Sequence, residues 1–168
     1  MESKAKFLGH ALHQILIPFP LGLLATGVIF DIIYLIWGNP TIETVAFYMI
    51  AAGIVGGFVA APFGLIDWLA IPANTRAKSV GMMHGLGNVL VLLLFAASWW
   101  LRYGEHVQHR ASTLALVLSF AGFVVAGMTA WLGGELVDRL GVGVDDGAHL
   151  DAPSSLSGRS ATEQSKNT

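Results

Sequence analysis

Four stretches of the chain stay apolar for longer than a small soluble core needs, and the polar residues gather between them. They cover residues 15–37, 45–66, 80–101 and 113–134. At 1.5 Å of rise per residue, about 20 residues cross a hydrocarbon core of about 30 Å. Each stretch meets that length. Only Asp31 interrupts the first and only His84 the third, while the second and fourth hold no ionisable residue and end at Asp67 and Glu135. Membrane β-strands would be shorter and would alternate polar with apolar positions, which these runs do not. Gly38-Asn39-Pro40 and Pro72-Ala73-Asn74 are breaker signals after the first and second runs,. Short connectors between long helices favour antiparallel neighbours. The pattern therefore predicts an all-α integral membrane protein, an antiparallel bundle of four transmembrane helices over residues 1–142. Small residues four apart (Ala52/Gly56, Gly53/Gly57, Gly81/Gly85, Gly122/Ala126) mark faces where helix backbones approach,. From residue 143 to 168 the chain turns to Gly, Ser, Asp and Ala, and a disordered cytoplasmic tail is expected,.

Composition sharpens this picture. The chain is 54% hydrophobic and 12% charged, about half the charged fraction of a soluble domain. No Lys/Arg stripe exists for nucleic acid, so the bilayer is the partner the composition names, with a redox partner or a second copy left open,. The absence of cysteine excludes disulfides, thiolate zinc sites and cysteine catalysis,. Lys4 and Lys6 precede the first apolar run as in a signal peptide, but the run is too long and no small-residue cleavage site follows,. Four crossings put Lys4, Lys6, Arg76, Lys78, Arg139, Arg159 and Lys166 on one side, against Arg102 and Arg110 on the other. The positive-inside rule then predicts a multi-pass protein of the cell membrane with both termini cytoplasmic.

Four-helix topology also brings distant polar residues to one level. His10 and His13 precede the first helix core, Asp67 ends the second, His84 and Asn88 open the third, and Glu135 and Asp138 follow the fourth. Ionisable groups at such places commonly mark a site or path. One chemistry is a haem b held axially by His84 with His13 or His10, with Asn88 beside it. Another is a divalent metal bound by His10, His13, His84, Asp67 and Glu135. A third reading is structural: the same residues cap helices and bond to neighbours. The spacings leave all three open, and with them a redox or cofactor-binding protein, a proton or metal transporter subunit, or an assembly partner in a membrane complex. Whether the chain is an enzyme is not legible. Asp31 and Arg102 are placed to form a structural pair at the other end. His106 and His109 read as solvated loop residues and His149 as part of the tail. Trp37, Trp68, Trp99, Trp100 and Tyr103 sit at span ends, where interfacial belts occur,.

Several of these residues carry a family likeness. Gly9-His10-Ala11-Leu12-His13-Gln14 with Ile17-Pro18-Phe19-Pro20, Gly64-Leu65-Ile66-Asp67, Thr75-Arg76-Ala77-Lys78 leading to His84 and Asn88, and Trp131-Leu132-Gly133-Gly134-Glu135 together resemble the bacterial membrane proteins grouped as domain of unknown function 2231. The resemblance covers roughly residues 9–144. Ala11 and Gln14 stand where the family motif has proline, which favours His10 and His13 on one helical face. The resemblance implies a membrane fold and no particular activity.

Overall fold

The computed structural model describes residues 1–105 and 111–164. Two short strands open the chain, β1 (Lys6–Phe7) and β2 (His10–Ala11), paired antiparallel with Phe7 opposite His10. Leu8 and Gly9 both take positive φ, 51° and 87°, the backbone that a two-residue hairpin turn requires. The helices are α1 (Leu12–Leu16), α2 (Pro18–Trp37), α3 (Pro40–Ala70), α4 (Arg76–Glu105) and α5 (Thr113–Gly134), the last running into a single π-turn over Glu135–Arg139. Ile17 keeps helical angles between α1 and α2, so they form one span, Leu12–Trp37. The break falls there because Pro18 and Pro20 cannot donate to the preceding turn. Among the described residues, four helices are thus long and apolar enough to cross a membrane: Leu12–Trp37, Pro40–Ala70, Arg76–Tyr103 and Thr113–Arg139.

The elements begin and end for local reasons. Gly38 closes α2 in the left-handed region, Asn39 accepts from the Thr41 amide at the start of α3, and Ser112 accepts from the Ala115 amide at the start of α5,. Each of the four spans is longer than its apolar run, and those of α3 and α4 extend furthest beyond it. Among the described residues after Arg139, Ser155–Ser157 forms one 3-10 turn.

Packing is tightest within two hairpins, α2 with α3 and α4 with α5; α3 also meets α4 and α5 meets α2. That cycle leaves α2 and α4 on one diagonal of the bundle. Leu24, Val28, Ile50, Ile54, Val91, Phe95 and Ala126 form the buried centre. Large apolar residues face outward in quantity, including Ile36, Val55, Phe58 and Leu93, all more than 60% exposed. In water such a surface would aggregate; against acyl chains it is matched.

The contacts of the first hairpin recur in the second. Leu24 lies where a Cβ on Gly53 would be, and Phe95 does the same at Gly122. Gly27 packs on the Ala46 carbonyl, and Ser98 Oγ donates to the Ala115 carbonyl at 2.6 Å. Each α4 residue in these pairs is 71 positions beyond its α2 counterpart, and each α5 residue 69 beyond its α3 counterpart. The chain is built as two similar hairpins, a parallel internal repeat of the kind related by an axis along the membrane normal.

Asp31 and Arg102, also 71 apart, meet across the diagonal in a two-pronged pair at 2.6 and 2.7 Å, with 0% and 1% of their side chains exposed. Ser119 Oγ donates to Asp31 at 2.9 Å and Arg102 Nε donates to Ser98 Oγ at 3.2 Å. The expected structural pair is therefore present and fully embedded. Removing one partner of such a pair costs about 3–5 kcal/mol because the other is left uncompensated. Arg102→Leu should lower the thermal midpoint in detergent sharply, and the added change Asp31→Leu should recover most of the loss. Circular dichroism melts check this, and additive losses would count against the pairing.

Candidate functional site

At the opposite end of the bundle, His13 on α1 and His84 on α4 face each other with ring centres 6.3 Å apart and planes at 88°. The two rings are held alike. His13 Nδ1 donates to the Ala60 carbonyl at 3.0 Å and lies over Gly64, four residues on, where a Cβ would come within 2.8 Å of the ring. His84 Nδ1 donates to the Thr129 carbonyl at 2.8 Å and lies over Gly133, again four residues on, where a Cβ would come within 3.1 Å. A carbonyl only accepts, so each ring carries its hydrogen on Nδ1 and presents the Nε2 lone pair when neutral. Asn88 spans from the His84 carbonyl (2.9 Å) to the hydroxyl of Thr129 (3.1 Å), and its amide donates to His84 Nε2 at 3.2 Å. Among the described residues, no donor reaches His13 Nε2.

The rest of the expected cluster is engaged elsewhere. His10 lies in β2 and is exposed; its Nε2 is 3.4 Å from Ser155 Oγ. Helix α1 starts only at Leu12, because Ala11 is extended, so His10 and His13 do not share a helical face. Asp67 is buried under the N-terminal strap: Ser3 Oγ donates to both its oxygens at 2.8 Å and the Lys4 amide donates at 2.7 Å. Glu135 pairs with Arg76 at 2.6 Å. The five-residue metal set is thereby corrected. Among the described residues, no three His, Cys, Asp or Glu side chains come together to hold an ion. Backbone carbonyls of α3 and α5, not the carboxylates, orient the imidazoles. That role had no sequence signal, since any residue supplies a carbonyl. The glycines at 64 and 133 were the available clue. His106 and His109 lie outside the described residues, as do Arg110 and Lys166, and His149 Nδ1 accepts from the Asp151 amide within the tail.

The strap itself closes this end. The Met1 amine donates to the Gly141 carbonyl at 3.0 Å and lies 3.4 Å from Asp146, the Gly143 amide donates to the Met1 carbonyl, and Lys6 bonds Glu2 and Asp145. The Asp145 and Glu2 carboxylates raise the Lys6 pKa above 10.5, and the bond from Lys6 lowers that of Glu2 below 4.5. The raised lysine contributes docking that is complete below 10.5 and is lost as pH rises through its elevated value,. The depressed Glu2 contributes docking present above 4.5 and lost as pH falls through its lowered value,. Protection of the strap amides, their exchange rate relative to an unstructured peptide at the same pH, should therefore be greatest at neutral pH and fall at both extremes; Lys6→Gln should flatten both limbs.

The family model described as "Predicted membrane protein (DUF2231)" matches residues 9–146, and the chain belongs to that family. No curated protein and no solved structure gives a match.

Proposed function

We propose that this member of the DUF2231 family is a small membrane protein that binds a redox cofactor between His13 and His84. The observation that carries the reading is the pair of rings facing each other at 6.3 Å, each with its hydrogen committed to a backbone carbonyl. With Nδ1 of each ring committed, Nε2 is left as the ligating atom of each imidazole, and a metal ion between the rings would take both,. Fixing the far nitrogen of a ligating histidine is also what sets its tautomer and strengthens it as a ligand. A proton path is less well supported, since the carboxylates that would relay a proton are tied to the strap and to Arg76.

The reading includes an orientation with both termini in the cytoplasm. Arg102 is consumed by Asp31 within the bundle, so it no longer counts as a loop charge, and the excess of Lys and Arg on the strap side widens. The cofactor would then lie near the cytoplasmic face.

Protein purified in mild detergent should carry about one equivalent of chromophore or transition metal. His13→Ala and His84→Ala should each remove it, while His10→Ala should leave it in place. Gly64→Val and Gly133→Val, which displace a ring without altering either ligand, should weaken binding by about 10–100-fold. A cofactor content unchanged in both histidine variants would refute the assignment. The orientation is checked separately: the chain has no cysteine, so a single cysteine at Ser160 should resist an impermeant thiol reagent in whole cells and one at Thr41 should react.

A further inference from the structure

A two-fold axis brings each residue nearest to it against its own equivalent, as in any self-complementary interface. Two such pairs occur in this chain, His13 with His84 and Asp31 with Arg102, each separated by 71 residues. They therefore mark the axis of the internal repeat. By helical rise they lie about 27 Å apart along α4, one near each membrane face, with Leu24 and its equivalent Phe95 in the centre between them. The His13–His84 site is thus built from two identical halves: imidazole on the diagonal helix, carbonyl tether one turn before a glycine on the partner helix, and the glycine under the ring.

Resting on the reading that these histidines bind a cofactor, we propose that the ligand is a single iron porphyrin, bound by His13 and His84 as its two axial ligands with their ring planes perpendicular. A bare ion such as zinc takes three or four protein ligands, and this site offers two. An iron porphyrin needs two at most, because the macrocycle supplies the other four. The separation fits as well. With metal–imidazole bonds of about 2.0–2.1 Å and ring nitrogens about 1.1 Å from the ring centre, opposed imidazoles on one ion stand about 6.3 Å apart. The two carbonyl tethers sit on different hairpins and hold the planes at 88°. The site departs from symmetry where Asn88 and Thr129 stand against their equivalents Ile17 and Ala60. Asn88 donates to His84 Nε2, the atom the iron takes, so that bond gives way on binding while its bonds to the His84 carbonyl and Thr129 keep the residue in place.

The test is titration of the detergent-purified full chain with haemin, followed by optical and low-temperature electron paramagnetic resonance spectra. The expected result is one haemin per chain, a low-spin ferric species, and the strongly anisotropic signal with a large maximum g value that perpendicular axial imidazoles produce. His13→Ala and His84→Ala should act equally, each abolishing the low-spin form. His84→Met, which keeps an axial ligand and the apolar volume, should retain haemin and raise its reduction potential. Circular dichroism melts of the variants confirm that they fold. A rhombic low-spin signal typical of parallel planes, or a low-spin form that survives either alanine change, would overturn the proposal. So would stoichiometric copper or zinc lost on His→Ala with no haemin bound, which leaves the cofactor reading intact. Neither haemin nor any metal bound would end both.

Discussion

Hydrocarbon offers no water to a polar group, so each one buried in a membrane bundle must be satisfied by the chain itself. Among the described residues, Arg102 and Asp31 meet that constraint with both side chains fully buried and paired. Five contacts within one network bind α2, α4 and α5 at a single level: the two prongs of the ion pair, Ser98 to Arg102, Ser119 to Asp31, and Ser98 to the Ala115 carbonyl. Leucine and valine gain little by packing on each other when lipid is the alternative. A directional network therefore fixes which helices lie on the diagonal. The same diagonal brings His13 opposite His84 at the other end.

The small residues set how close the helices come, and that closeness is what makes carbonyl tethers possible. An imidazole reaches a backbone carbonyl of a neighbouring helix only where nothing projects between them. Gly64 and Gly133 provide that opening, each four residues after the accepting carbonyl and so on the same face,. A methyl at either position would push the ring off its tether. The glycines act here through what they omit, which ties packing directly to the orientation of the candidate ligands.

The four spans, the fold class and the Asp31–Arg102 pair were legible because each follows from run length, helical rise and the level at which a residue falls. The convergence of polar residues at one end was legible at that same coarse resolution. Its detail was not. His10 stays out of the helix because Ala11 is extended and the helix starts only at Leu12. Asp67 and Glu135 share the level of the histidines, but level says nothing of azimuth. Asp67 turns to a strap formed by the first residues, and Glu135 to Arg76. The repeat escaped notice because a run of apolar letters matches any other; it becomes visible once contacts such as Leu24–Gly53 and Phe95–Gly122 are set side by side.

The repeat also explains why the two ends of the axis look so different. Two like charges meeting on an axis in hydrocarbon would repel without relief. At the Asp31–Arg102 end the equivalent positions carry opposite charges, so two ionised groups share the axis as a pair. At the other end the equivalent positions carry the same residue, His opposite His. Two neutral imidazoles whose hydrogens already point at carbonyls gain nothing from facing each other alone. On the cofactor reading proposed above, a shared electrophile on the axis uses both, and uses them alike.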